Sequence, residues 1–403
     1  MVLTVHDIDA DAIEIPSCSG RALSVIFKPD SRHLVTADSS GSLRQWRVDS
    51  GQEITPSEMK AKDSVYAAVV SVDGRWIVSG DLAHRVIVWN TVTHTIATEI
   101  TEHTNFVCTV DVSGDSTRFA SGSHDSTVRI FSIISGIRLV PPLQHDGPVT
   151  GVKFSPDGCR IASITHSNPS VRVYDAHSGN KLFDFPINVT WTPTTPLAWS
   201  SDGQQVFAAS PGSITSLNTS TSSRSEWPIH NSNDNVSAVT HGRFIACAVG
   251  TSVSFWDYTS RQQICSINHA TPISCISISR DGRYLTCGHD KGITVHNLGG
   301  RVPRNYLYVL RASRVPLIQV SEAVLESWML GIPASTEPVL SEEIAQGSDP
   351  DHYALAARSL MRAHLREWET AIGDAEAVGF FFICNTLTLT KYMQSPSRSK
   401  SRL

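Results

Sequence analysis

Ser121 to Phe131 reads SGSHDSTVRIF, which sets His124, Asp125 and Ser126 side by side. These are the three residue types of a hydrolase triad, whose chemistry needs an imidazole within hydrogen-bond reach of the nucleophile and a carboxylate behind the imidazole. Consecutive residues of an extended chain project to opposite faces, so adjacency works against that device. Other reaction chemistry is missing as well: the chain has no GxxxxGKS/T loop, no GxGxxG between a strand and a helix, no HExxH and no GxSxG. Its 16 histidines are dispersed rather than set at metal-ligand spacing. No catalytic residue, cofactor or metal is expected, and acidic pairs such as those in DIDAD read as turn residues accepting local backbone bonds.

At 403 residues the chain can bury one large core and a second, smaller unit, and a net charge of −5 brings no general attraction to nucleic acid or membrane. The charge is uneven. From Ser321 to Glu376, 11 acidic residues stand against Arg358, Arg362 and Arg366, whereas the tail from Lys391 is basic. No basic stripe marks a nucleic-acid surface. The 8 cysteines are scattered among apolar, strand-like neighbours without a CxxC pair, the pattern of reduced thiols in the cytosol or nucleus. The first residues lack the basic start and apolar run of a leader, and AVGFFFIC is too short to span a membrane.

The elements that must position His124, Asp125 and Ser126 emerge when SGSHDSTVRIF is laid on the rest of the chain. Similar blocks end at Trp46, Trp89, Phe131, Tyr174, Leu217, Trp256 and His296, spaced 43, 42, 43, 43, 39 and 40 residues apart. Upstream of each lies a short β-branched run closed by a polar turn, as in AVVSVDG, GVKFSPDG, LAWSSDG and SISRDG. That is hairpin chemistry, without helical periodicity. A period of about forty residues with several short strands per repeat is the signature of a propeller array.

Over residues 12–298 the chain resembles WD40 repeats, seven of them, although Trp256-Asp257 is the one intact Trp-Asp pair and Tyr174-Asp175 the nearest substitute. The resemblance implies an all-β, seven-bladed propeller of four-stranded blades. It also implies a buried tetrad in each blade: a His before the first strand, a Ser or Thr, a turn Asp and the Trp. On this chain His103, Ser121 and Asp125 match in blade three, His145 and Ser163 in blade four, and His269 and Asp290 in blade seven. Ala83 stands at the Asp position of blade two and Gly250 at that of blade six, while blade five lacks both His and Asp. Residues AIEIP, Ala12 to Pro16, after an N-terminal arm over 1–11, are expected to complete blade seven.

Beyond the ring the pattern changes from period two to period 3.6. A linker with one helix is expected over 299–348, with Ser321 as cap, and a helix pair over 349–380 opens at Asp349-Pro350. The pair resembles a single tetratricopeptide repeat through Arg358, Trp368, Ala371, Ile372, Asp374 and Ala375, and the whole arrangement resembles fungal WD40 and tetratricopeptide proteins. Residues 381–403 form a poorly patterned tail.

The resemblance implies a non-enzymatic scaffold that binds proteins or peptides on one face of the ring, with the helical segment as a second contact. No nucleic acid, membrane or small-molecule partner is expected. The face with the loops before the first strand and between the second and third strands would show Arg21, Ser39, Leu82, Phe106, His124, Pro148, His166, Trp191 and His289. An alternative is a substrate receptor of a cullin ubiquitin ligase, against which stands the absence of Arg two residues after Trp256-Asp257 or Tyr174-Asp175. Another is a regulatory fragment of a signalling switch protein.

Overall fold

The computed structural model describes residues 5–6, 12–16, 20–54, 59–166, 170–187, 196–210, 212–229, 236–303 and 306. All belong to the first of two units, Met1–Leu310. The helical segment and tail read from the sequence over 307–403 lie outside the described residues.

Seven small sheets follow one another along the chain. Blade one is Ala22–Phe27, His33–Asp38 and Leu43–Arg47, its rim touched by the bridges Trp46–Glu53 and Ser42–Lys60. Blade two is Val65–Val70, Trp76–Asp81, Val86–Asn90 and Ile96–Ile100. Blade three is Val107–Val112, Arg118–Ser123, Thr127–Ser132 and the short Leu143–Gln144. Blade four is Val149–Phe154, Arg160–Thr165, Ser170–Asp175 and Lys181–Pro186. Blade five is Leu197–Trp199, Gln205–Ser210, Ser213–Asn218 and Arg224–Pro228. Blade six is Val236–His241, Phe244–Val249, Ser252–Asp257 and Gln262–Asn268. Blade seven is Ile273–Ile278, Tyr284–His289 and Gly292–Asn297, with Ile13–Pro16 from the start of the chain as its outer strand.

That last pairing is antiparallel, Ile13 opposite Val295 through Pro16 opposite Gly292, and it buries Ile15. It closes the ring and covers a sheet edge that would otherwise be open. A second closing contact was not anticipated: Val5–His6 pairs parallel with Ser266 and Ile267 on the rim of blade six.

The repeat seen in the sequence is a repeat in register. In every blade the block-ending residue sits opposite the second residue of the second strand: Leu34 with Trp46, Ile77 with Trp89, Phe119 with Phe131, Ile161 with Tyr174, Val206 with Leu217, Ile245 with Trp256 and Leu285 with His296. All are buried except Trp256, which is half-buried although it belongs to the intact Trp-Asp pair. Its indole donates to Ser254 of its own strand at 2.9 Å.

The polar turns recur just as closely. Ser71, Ser113, Ser155, Ser200 and Ser279 each donate to an Asp two residues on at 2.5 to 2.7 Å, and each accepts from the amide that opens the next strand. Second strands such as RFASGS and RIASIT are buried at five of six positions, whereas outer strands such as KLFDFP face solvent at alternate positions. Each second strand is sandwiched between neighbouring blades, so the core is divided among seven seams, one apolar cluster between each pair of adjacent blades. Close approach sets one residue type there: a Cβ on Gly80 would lie 2.5 Å from Val107 of the next blade, and one on Gly122 would lie 2.7 Å from Val149.

Candidate protein-binding face

The residues of SGSHDSTVRIF separate at once. In blade three His103 is fully enclosed, its Nδ1 2.7 Å from Asp125 Oδ2 and its Nε2 2.8 Å from Ser121 Oγ. Asp125 also accepts from the Thr104 amide, the Thr127 amide and the Thr127 hydroxyl. Burial alone would raise its pKa, but the bonds from His103 and Thr127 and the nearby imidazole outweigh that and hold the carboxyl well below the carboxylate range. Ser126 occupies the turn with a positive φ of 66°. No base is hydrogen-bonded to it, so the three letters make a folded turn and not a triad.

Blade four keeps half of that seam. His145 Nε2 lies 2.8 Å from Ser163 Oγ and 3.3 Å from the Tyr174 hydroxyl, while its Nδ1 pairs with the Leu143 carbonyl at 3.0 Å, where blade three has a carboxylate. With no carboxylate partner, burial pushes the His145 pKa down to about 4, so the ring is neutral. Blades one and two dispense with the histidine: Trp46 and Trp89 donate directly to Thr36 and Ser79 at 2.9 and 2.8 Å. Blade two, with Ala83 at the Asp position, instead buries an ion pair that sequence reasoning missed. Arg85 clasps Asp81 at 2.9 and 2.5 Å and reaches Glu99 at 2.8 Å, with both Arg85 and Asp81 almost fully enclosed.

Blade seven requires a correction. The sequence reading placed Asp290 with His269 in the seam and His289 on the face, but the two neighbours hold the opposite positions. His289 is buried as the last residue of the second strand, 3.0 Å from Thr294 Oγ1. Asp290 is exposed and forms an ion pair with Arg21 Nε at 2.9 Å. Two residues separate the second and third strands here, against three in blade three, so the turn cannot carry an Asp back to the histidine. His269 instead meets His296, Nε2 to Nε2 at 3.0 Å with the rings at 87°, and burial followed by the His296 neighbour lowers its pKa to about 3.

On the face itself, one backbone bond repeats in four successive blades. The amides of Ser39, Leu82, His124 and His166 donate to the carbonyls of Arg21, Ser64, Phe106 and Pro148 at 3.0 to 3.1 Å. Each bond ties the loop between the second and third strands to the loop before the first. Phe106 and His124, both half-buried, lie against each other with ring centroids 3.9 Å apart and planes tilted by 32°. Burial and then His166 lower the His124 pKa, which favours the neutral form of that ring. Leu82, Pro148 and His166 are half-buried, Ser39 and Arg21 exposed. Arg21 also donates to Ser274 at 2.8 and 3.0 Å, so with Asp290 it bridges blades one and seven. Trp191 lies outside the described residues. Beneath this face the first strands of all seven blades line a central cavity of about 340 Å³, into which Tyr66 and Lys153 contribute.

The family model described as WD domain, G-beta repeat matches residues 56–90, 94–132, 139–175 and 261–297. Four of the seven repeats match the WD40 repeat. The matched residues end in blades two, three, four and seven, which all show the same inner-strand bulge, as between Val65 and Ala67; unmatched blade one shows it too, whereas the first strands of blades five and six pair without one. The chain is 27% identical over 165 residues to a guanine nucleotide-binding protein subunit beta of Arabidopsis thaliana, covering 38% of this chain and 44% of that one. It is 29% identical over 137 residues to the small ribosomal subunit protein RACK1y of Oryza sativa subsp. japonica, covering 33% and 40%. The match thus spans less than half the length of these relatives. Among solved structures, the RRP9 WD40 repeats superpose with a TM-score of 0.63 at 16% identity, over 72% of this chain and 97% of that one. U3-55K gives 0.62 at 16% identity, over 72% and 99%. At that identity the likeness shows the fold.

Proposed function

We propose that the WD40 ring is a non-enzymatic scaffold that binds a protein or peptide on the face formed by Leu82, Phe106, His124, Pro148 and His166. The carrying observation is the repeated loop-to-loop backbone bond, which holds four adjacent loops in fixed positions. Preorganised loops lose little conformational freedom on binding, and a half-buried aromatic beside apolar neighbours is the kind of anchor that dominates interface energies. The half-buried Leu82, Phe106 and Pro148 suit an apolar or aromatic side chain of the partner. The helical segment expected over 349–380 adds a second contact in this reading, and the setting is the cytosol or nucleus, in keeping with the six free cysteines among the described residues.

The test is proximity labelling with the full chain against a Phe106→Ala, Leu82→Ser double variant of unchanged melting temperature. Loss of a discrete set of partners supports the face. An identical partner profile places the contact elsewhere.

A further inference from the structure

In the seam of blade seven, the three places that blade three fills with His103, Ser121 and Phe131 hold His269, Cys287 and His296. The correspondence is one of register: Ser121 and Cys287 are each the fourth residue of a second strand, and each lies 18 residues after its histidine. Phe131 and His296 each face the second residue of that strand. Blade seven has therefore exchanged a hydroxyl for a thiol and an apolar ring for a second imidazole. Among the described residues this is the one group of three His, Cys or acidic side chains whose ligand atoms all lie within 4.8 Å of one another.

We propose that His269 Nε2, His296 Nε2 and Cys287 Sγ bind a zinc(II) ion, with water completing a tetrahedron. The donor set suits a borderline-soft ion, since imidazole nitrogen and thiolate are the preferred zinc ligands. Bond lengths of about 2.05 Å to nitrogen and 2.3 Å to sulfur set ligand separations of about 3.3 Å and 3.6 Å. The two Nε2 atoms, at 3.0 Å, need to part by only a few tenths of an ångström, and no pair of ligand atoms must close by more than about 1.2 Å. On binding, the Cys287 thiol loses its proton to solvent and sulfur donates the electron pair; the proton shared between the imidazoles moves to a ring Nδ1, which frees both Nε2 lone pairs. A thiolate offsets half of the ionic charge. Glu14 stands in the same cross-strand row, Cys287 opposite Thr294 and Thr294 opposite Glu14, with Thr294 Oγ1 donating to Glu14 Oε1 at 3.0 Å. The ion would thus sit beside the strand that closes the ring, and its loss would loosen that closure.

The sequence showed no such spacing because the ligands come from three separate strands or strand ends, 18 and 9 residues apart. The experiment uses the full chain, stripped with chelator and titrated with cobalt(II) as a spectroscopic stand-in for zinc, alongside Cys287→Ser and Cys159→Ser. The Ser variant copies blade three, and Cys159 is the exposed thiol of the described set. Expected are one metal ion per chain, a thiolate-to-cobalt charge-transfer band, a melting temperature that rises by several degrees with zinc, and at least about a tenfold loss of affinity with no band in Cys287→Ser. Should Cys287→Ser fail to fold, His296→Phe, the blade-three residue, serves in its place with the band as readout. Binding equal in wild type and Cys287→Ser, or a band that disappears with Cys159→Ser instead, overturns the site.

Discussion

Blade three and blade seven present the same four strands in the same register and hold their seams together by different chemistry. Blade three locks His103 between a carboxylate and a hydroxyl, and its short outer strand, Leu143–Gln144, comes from its own repeat. Blade seven sets an imidazole and not a carboxylate against His269, beside a thiol, and borrows its outer strand from the other end of the chain. The tetrad is thus not what makes a blade. Register and apolar packing make it, and the seam chemistry is free to vary wherever a turn changes length by one residue.

The largest effect that can break this comparison is removal of residues 1–16. Deletion takes away the buried Ile15 and uncovers Ile293 and Val295, which at about 25 cal/mol per Å2 amounts to a loss of at least about 4 kcal/mol. Urea unfolding should show a much lower midpoint, with the tryptic cuts appearing first in blade seven; an unchanged midpoint would mean that the closing strand is dispensable. Next in size is Asp125→Ala in blade three. It leaves the buried His103 Nδ1 and the Thr104 and Thr127 amides without their acceptor, and stranding a buried hydrogen-bonding group costs about 1 to 3 kcal/mol.

Acid separates the seams further. His145 and His241 have folded pKa values of about 4, depressed by burial, so the unfolded chain binds more protons between their ordinary value and about 4. Stability is therefore fully present above the ordinary histidine range and falls as pH drops through it, by about 2 kcal/mol for each residue at pH 5. Asp125 acts at lower pH: its depressed carboxyl contributes above the unfolded carboxylate pKa and loses that contribution only below it. Urea midpoints at pH 7 and pH 5 for wild type and His145→Phe should differ, with the variant flatter. The smallest effect is Asp290→Ala. As an exposed ion pair with Arg21 it should cost less than about 1 kcal/mol, and a loss as large as that of Asp125→Ala would restore it to the seam.

Much of this architecture was legible because it depends on short-range pattern. The forty-residue period, the Ser-x-Asp turns and the block-ending residues are local signals; the period and the block-ending residues reappear as the same strand register in seven sheets, and the turns recur in five of them. The AIEIP strand could be placed by the family's closure alone. The loop positions were legible in part: Leu82, Phe106, His124, Pro148 and His166 fall on adjacent loops, while His289 and Asp290 exchanged places because the blade-seven turn is a residue short. Arg85 with Asp81 gave no signal, since a charged pair four residues apart at a turn reads as surface, and its burial appears only in the folded chain.

Strand alternation and turn chemistry are properties of neighbouring residues, so the amino-acid order already specified blades, their number and their spacing. Which side chains share a seam depends on contacts between residues some twenty apart in one blade and nearly three hundred apart where the ring closes. Those distances are closed only by folding, and there burial decides whether His103 meets Asp125, whether Arg21 meets Asp290, and whether His269, Cys287 and His296 converge.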